Sequence, residues 1–169
     1  MNQPWRGIFA ILATLFTTSY QLDEANLRRE VRFCFKAGVH GLVGPANASE
    51  FTTLSDDERR RWIEIVVAEA GGRVPVIAVI TAGHALPAAA LSRVAQQAGA
   101  DGIMAMPPHV LPPMPGLLRR LPRAGRGGGY SGLRSELHRP DRHADARRPA
   151  GAHVPRAPRR PYIWVSRRA

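Results

Sequence analysis

Four apolar runs, Gly7–Thr14, Val39–Gly44, Val74–Thr81 and Asp101–Met106, recur at intervals of roughly thirty residues with an amphipathic stretch between each pair. Each is apolar at nearly every position, as a strand must be when both of its faces are covered. Strands of that kind separated by helices imply successive βαβ units around a parallel sheet. The longest continuous part, Ile8–Phe16, is too short to span a bilayer and precedes no small-residue cleavage site, so it is read as a buried strand.

The intervening stretches have helix ends. Asp23 is placed to cap a helix whose Leu27, Val31 and Cys34 share one face, and Gly38 can close it in the left-handed conformation. Ser55 with Glu58 forms a capping box ahead of an inward stripe of Ile63, Val66, Val67 and Ala70, ended by Gly71 and Gly72. Pro87 suits the first turn of a third helix that runs through Ala98 and stops at Gly99. Cys34, the single cysteine, excludes an internal disulfide and a spaced thiolate set for zinc. It makes a reducing cytoplasm the default compartment, and its apolar stretch marks a buried, inert thiol.

This local agreement ends near residue 112. Residues 1–112 hold ten Lys/Arg and ten Asp/Glu, whereas 113–169 hold fourteen basic residues against Glu136, Asp141 and Asp145. The whole formal charge of +11 therefore lies in the last third, where Lys36, the only lysine, has no counterpart. Eight prolines from Pro113 to Pro161 interrupt any helix there. The predicted organisation is a folded unit over 1–112 and a basic, low-complexity, disordered tail over 113–169.

The segments at the unit boundaries are specific in their order and spacing. They are Thr14-Leu15-Phe16 after the first strand, Gly38-Val39-His40-Gly41-Leu42-Val43 into the second, and Ser49-Glu50-Phe51-Thr52-Thr53-Leu54-Ser55 followed by Glu58-Arg59. Gly72-Arg73-Val74-Pro75-Val76-Ile77-Ala78 and Gly99-Ala100-Asp101-Gly102-Ile103-Met104, ending at Pro107-Pro108, complete the set. Together they resemble the dihydrodipicolinate synthase / N-acetylneuraminate lyase family of class I aldolases. The resemblance implies a (β/α)8 TIM barrel of which about four βα units are present, usually in a homotetramer. It implies aldol addition or cleavage on pyruvate or another 2-oxo acid, with no organic or metal cofactor. The family's strand-six lysine forms a Schiff base with the keto carbon, and desolvation keeps that amine nucleophilic.

Carried over by the resemblance, the substrate carboxylate belongs at the turn after the second strand. The family's paired hydroxyl residues fall on Asn47 and Ala48, with Ser49 in place of a glycine and Glu50 retained. Asn47 and Ser49 remain able to donate hydrogen bonds to a carboxylate. Leu15 replaces a proline and His109 a tyrosine. The strand-five tyrosine and the strand-six lysine have no counterpart, so no catalytic residue is assigned. Lys36 falls near the end of the first helix, outside a barrel, and Tyr130 follows Gly127-Gly128-Gly129 in no strand-like context. The expectation is a truncated, inactive family member whose first and fourth strands are open edges prone to self-association.

Arginine, alanine, glycine and proline are the products of G- and C-rich codons, so a shifted reading frame accounts for the tail. Codons for Asp141-Arg142-His143-Ala144-Asp145, read one base later, can spell Ile-Gly-Thr-Pro-Met, which resembles the loop expected between strands five and six. The competing reading is a basic accessory protein that binds nucleic acid or anionic surfaces through this tail. It has no interleaved aromatics, no module and no helix to enter a groove, so specific nucleic-acid binding is not expected. Arg126-Gly127-Gly128-Gly129 follows no strand, and His138, His143 and His153 have no metal-ligand spacing. His84 and His109 at strand ends are read as polar rim residues, and Glu50 as an organiser of its loop rather than an acid or base.

Overall fold

The Asp23 carboxylate accepts from the Asn26 amide at 3.0 Å, and the first helix, α1 (Glu24–Lys36), begins there. The computed structural model describes residues 5–106, together with strand backbone at 134–135 and 164–167. Within it α1 buries Leu27, Val31 and Cys34 on the predicted face, and Gly38 follows at φ +77°. Helix α2 (Asp56–Ala70) opens with the predicted capping box: the Ser55 amide donates to Glu58 Oε2 at 2.8 Å while the Glu58 amide donates to Ser55 Oγ. Trp62 and Ile65 join its predicted buried stripe, whereas Val67 is only half-buried. Helix α3 (Ala85–Ala98) has Pro87 in its first turn and ends at Gly99 as predicted, but its cap is His84, whose Nδ1 accepts from the Leu86 amide at 3.2 Å.

The strands are shorter than the apolar runs that announce them: β1 Phe9–Ile11, β2 Gly41–Gly44, β3 Val76–Val79 and β4 Gly102–Ala105. All four are parallel sequential neighbours, with α1, α2 and α3 as the crossovers. α1 packs on α2 and α2 on α3. Between helices and sheet lies a core of Leu12, Leu27, Val31, Leu42, Trp62, Ile63, Val66, Ile80, Leu91 and Ile103. The opposite sheet face carries Val43, Ile77, Val79 and Met106 with Phe51, and Phe9 and Met104 pack against them. Side chains alternating between two apolar layers explain why each run reads as continuously apolar. Among the described residues this is a parallel α/β layer of four strands and three helices, the arrangement of part of a (β/α)8 TIM barrel.

Gly44 lies directly against the helix layer. A Cβ there would lie 2.3 Å from Cη2 of the fully buried Trp62, so the indole uses the space that any side chain would need. Ion pairs at the surface tie α1 to α2, Arg28 and Arg32 to the half-buried Glu69 and Arg61 to Glu24.

Two expectations need correction. The Ile8–Phe16 run is not a buried strand throughout, because β1 has one neighbour only: Ile8 is 69% exposed, Ile11 50% and Phe16 38%. The edge of β4 is not open either. Strand β6 (Trp164–Arg167) pairs with it antiparallel, and β5 (Arg134–Ser135) pairs with β6, giving the order β1-β2-β3-β4-β6-β5. An unpaired strand edge presents a row of donors and acceptors that any extended segment can satisfy, including one from a tail of otherwise helix-breaking composition.

Candidate functional site

The carboxyl ends of β1, β2 and β3 form a rim held by buried hydroxyls. After β1, Thr14 Oγ1 donates to the Ser49 carbonyl at 2.6 Å. Ser49 Oγ donates to the Leu12 carbonyl and accepts from the Ala46 amide at 2.9 Å. After β3, Thr81 Oγ1 accepts from the Met106 amide at 2.9 Å, which couples the β3 and β4 ends. Thr14, Ser49 and Thr81 are all buried, so each bond works without competition from water.

Arg59 on α2 reaches beneath this rim. Its Nη2 donates to the Thr81 carbonyl at 2.6 Å, and its guanidinium lies 5.4 Å from the centroid of the Phe51 ring. Only 5% of the residue is exposed, and Nε has no partner. Burial pulls the guanidinium below its ordinary pKa, and the Asp56 carboxylate draws it part of the way back. The positive charge so placed stands under the ends of β2 and β3, where barrel enzymes keep their sites.

The three residues assigned to the substrate carboxylate fall in one 3-10 turn, Asn47–Ser49. They are not equivalent. Asn47 and Ala48 are exposed, and among the described residues their backbone amides have no acceptor. Ser49 is fully buried with its hydroxyl proton committed to Leu12, so it fixes the turn from below. Glu50, exposed, closes the turn in the left-handed conformation at φ 52°, and its carbonyl accepts from both the amide and the hydroxyl of Thr53. His84 is spent on capping α3. Lys36 is exposed at the last position of α1, at the opposite end of the unit from this rim.

Cys34 is buried, and burial, with the Glu30 charge behind it, pushes its thiol up, as suits an inert core residue. Among the described residues no group of three metal-binding side chains occurs and no helix is long and apolar enough to cross a membrane. His109, Tyr130, Arg126, His138, His143 and His153 lie outside the described residues.

A sequence profile of the Dihydrodipicolinate synthetase family matches residues 4–118. The chain belongs to that family. It is 42% identical over 113 residues to the 4-hydroxy-tetrahydrodipicolinate synthase of Methanopyrus kandleri, covering 66% of this chain and 38% of that protein. It is 41% identical over 104 residues to the L-2-keto-3-deoxyarabonate dehydratase of Azospirillum brasilense, covering 62% of this chain and 34% of that one. The chain thus spans little more than a third of these relatives' length. Among solved structures it superposes on YagE, a prophage protein of the dihydrodipicolinic acid synthase family from E. coli K12 in complex with pyruvate. The TM-score is 0.67 at 31% identity, over 72% of this chain and 41% of that one. The fold is also that of N-acetylneuraminate lyase from Fusobacterium nucleatum, with a TM-score of 0.70 at 23% identity over 74% and 44% of the two chains.

Sequence reasoning missed Arg59, Thr81 and the structural duty of Ser49. Arg59 is one of three consecutive arginines in a helix, and nothing local separates it from the exposed Arg60 and Arg61. The helical period does: Arg59 stands four residues before Ile63 and seven before Val66, on the buried stripe.

Proposed function

We propose that this chain carries the carboxylate-binding turn of a 2-oxo-acid lyase without the amine that would perform the chemistry. The observation that supports the reading is the division of labour within Asn47–Ser49. Ser49 and Thr14 lock the turn from the buried side, while two amides and the Asn47 side chain remain on the exposed side. Such an array suits a carboxylate, which accepts several hydrogen bonds at once. Pyruvate or another 2-oxo acid is the ligand class, and the chain is taken as cytoplasmic and homo-oligomeric, as the resemblance implies. No organic or metal cofactor enters the proposed chemistry.

Schiff-base formation needs a desolvated lysine within reach of the keto carbon. The only lysine is Lys36, exposed at the far end of α1. The chain therefore binds the acid weakly and leaves it unchanged. Saturation-transfer NMR with pyruvate tests the binding half of this reading: signal is expected from the parent and is lost in Asn47→Asp, whose added charge repels the carboxylate. Equal signal from both would place the ligand elsewhere and sink it.

A further inference from the structure

We propose that Arg59 is a positioning residue of the carboxylate turn: without touching the acid, it holds the chain that leaves the turn and supplies positive potential beneath it. The inference rests on the 2-oxo-acid reading of Asn47–Ser49 and deepens it. Two sets of contacts fix the guanidinium. Its Nη2 donates to the Thr81 carbonyl at 2.6 Å and to the Val79 carbonyl at 3.4 Å, at the carboxyl end of β3. Its Cζ lies 5.4 Å from the centroid of the Phe51 ring. Phe51 stands two residues beyond the turn, and its amide donates to the carbonyl of Ala46, the residue before the turn, at 3.3 Å. Thr14 and Ser49 therefore lock the turn toward β1, while Arg59 ties it through Phe51 to β3. A cation over an aromatic face is held more firmly where water is excluded, and Phe51 is buried.

The charge is not balanced within the unit. A buried cation is costly unless a carboxylate compensates it. The next two residues of α2 find one each, Arg60 at Asp57 and Arg61 at Glu24, but among the described residues Arg59 forms no ion pair. Its Nε is buried without any partner, and the exposed Asp56 acts on it only through space. Because the described residues already leave Arg59 only 5% exposed, the missing countercharge is a property of this unit and not of chain beyond it. An acid held on the exposed side of the Asn47–Ser49 turn supplies that countercharge. The apolar surroundings of Phe51, Val79 and Met106 keep the field of the guanidinium from being screened as it would be in water.

Titration of the full chain with pyruvate, followed through the backbone amide resonances of Asn47 and Ala48, is the test. Arg59→Met, which keeps the bulk and removes the charge, is expected to weaken binding about tenfold. Arg59→Lys keeps the charge without the planar fork and is expected to stay within about threefold of the parent. Asp56→Asn removes an exposed charge that opposes the guanidinium and is expected to tighten binding about twofold. A role confined to packing would weaken Arg59→Lys as much as Arg59→Met and would not respond to Asp56. If Arg59→Met does not fold, Asp56→Asn decides the matter, and unchanged affinity there overturns the proposal. Equal affinity of Arg59→Met and the parent, or of Arg59→Lys and Arg59→Met, overturns it while leaving the carboxylate turn intact. A parent whose Asn47 and Ala48 amides do not respond to pyruvate overturns the 2-oxo-acid reading itself, and this inference with it.

Discussion

The Thr14 hydroxyl donates to the Ser49 carbonyl at 2.6 Å, joining the loops after β1 and β2 across 35 positions of sequence. Both residues are buried, Thr14 8% exposed and Ser49 not at all. Thr14→Val keeps the shape but leaves that carbonyl without a partner, which costs about 1–3 kcal/mol. Urea denaturation monitored by far-UV circular dichroism measures it: a lower midpoint with unchanged slope is expected, and an unchanged midpoint would show that the bond holds nothing.

Gly44 and Trp62 give a second, steric prediction. Gly44→Ala drives a methyl into the indole and is expected to cost about 1–3 kcal/mol as an overpacked core does. Trp62→Phe alone also destabilises, by opening space. The double variant should be less damaged than the sum of the two, because the smaller ring vacates what the methyl needs. Additive losses in a double-mutant cycle would deny the contact.

Glu30 supplies the pH dependence. Its Oε1 accepts from the Ala13 amide, but its Oε2 is buried without a partner. Burial raises the carboxyl above its ordinary value of 4.5, and the Ala13 bond offsets this in part. The folded state therefore holds the proton more tightly than the unfolded one. Its contribution is most favourable on the acid side and declines as pH rises from 4.5 through the folded value. Glu30→Gln keeps an acceptor for Ala13 and removes the ionisation. Its stability relative to the parent should rise between about pH 4 and 7, as read by thermal melts. A pH-independent difference would contradict the assignment.

What was legible in the sequence is what is decided locally. Asp23, the Ser55 and Glu58 pair, Gly71 and Gly99 act within four residues of the helix ends they define, and all stand where the pattern placed them. The parallel βαβ order followed from four apolar runs at steady spacing, because both faces of each strand meet apolar layers. Strand lengths did not follow, since pairing depends on neighbours: Ile8 belongs to the apolar run and bonds to His40 through its backbone, yet its side chain stays exposed. The site was legible as a turn and not as a set of roles. Ser49 looked like a ligand donor by type, and only the Leu12 carbonyl, 37 positions away, makes it a lock. The pairing of β6 with β4 joins segments separated by the whole tail and leaves no periodic trace.

The tail carries a prediction at the level of the gene. If Arg, Pro, Gly and Ala enrichment after residue 112 comes from a shifted frame, one of the other two frames read from codon 105 onward should restore strands five and six, including a strand-six lysine. DNA sequencing through this stretch is the check. Three frames without such a lysine would make the arginine-rich sequence the gene's own product.

The account rests on family membership without the reacting amine. Incubating the full chain with pyruvate, reducing with borohydride and measuring the intact mass tests this most directly. No mass increase is expected, because Lys36 is solvated at the end of α1 and away from the Asn47–Ser49 turn. A stable pyruvyl adduct on Lys36 would contradict the account.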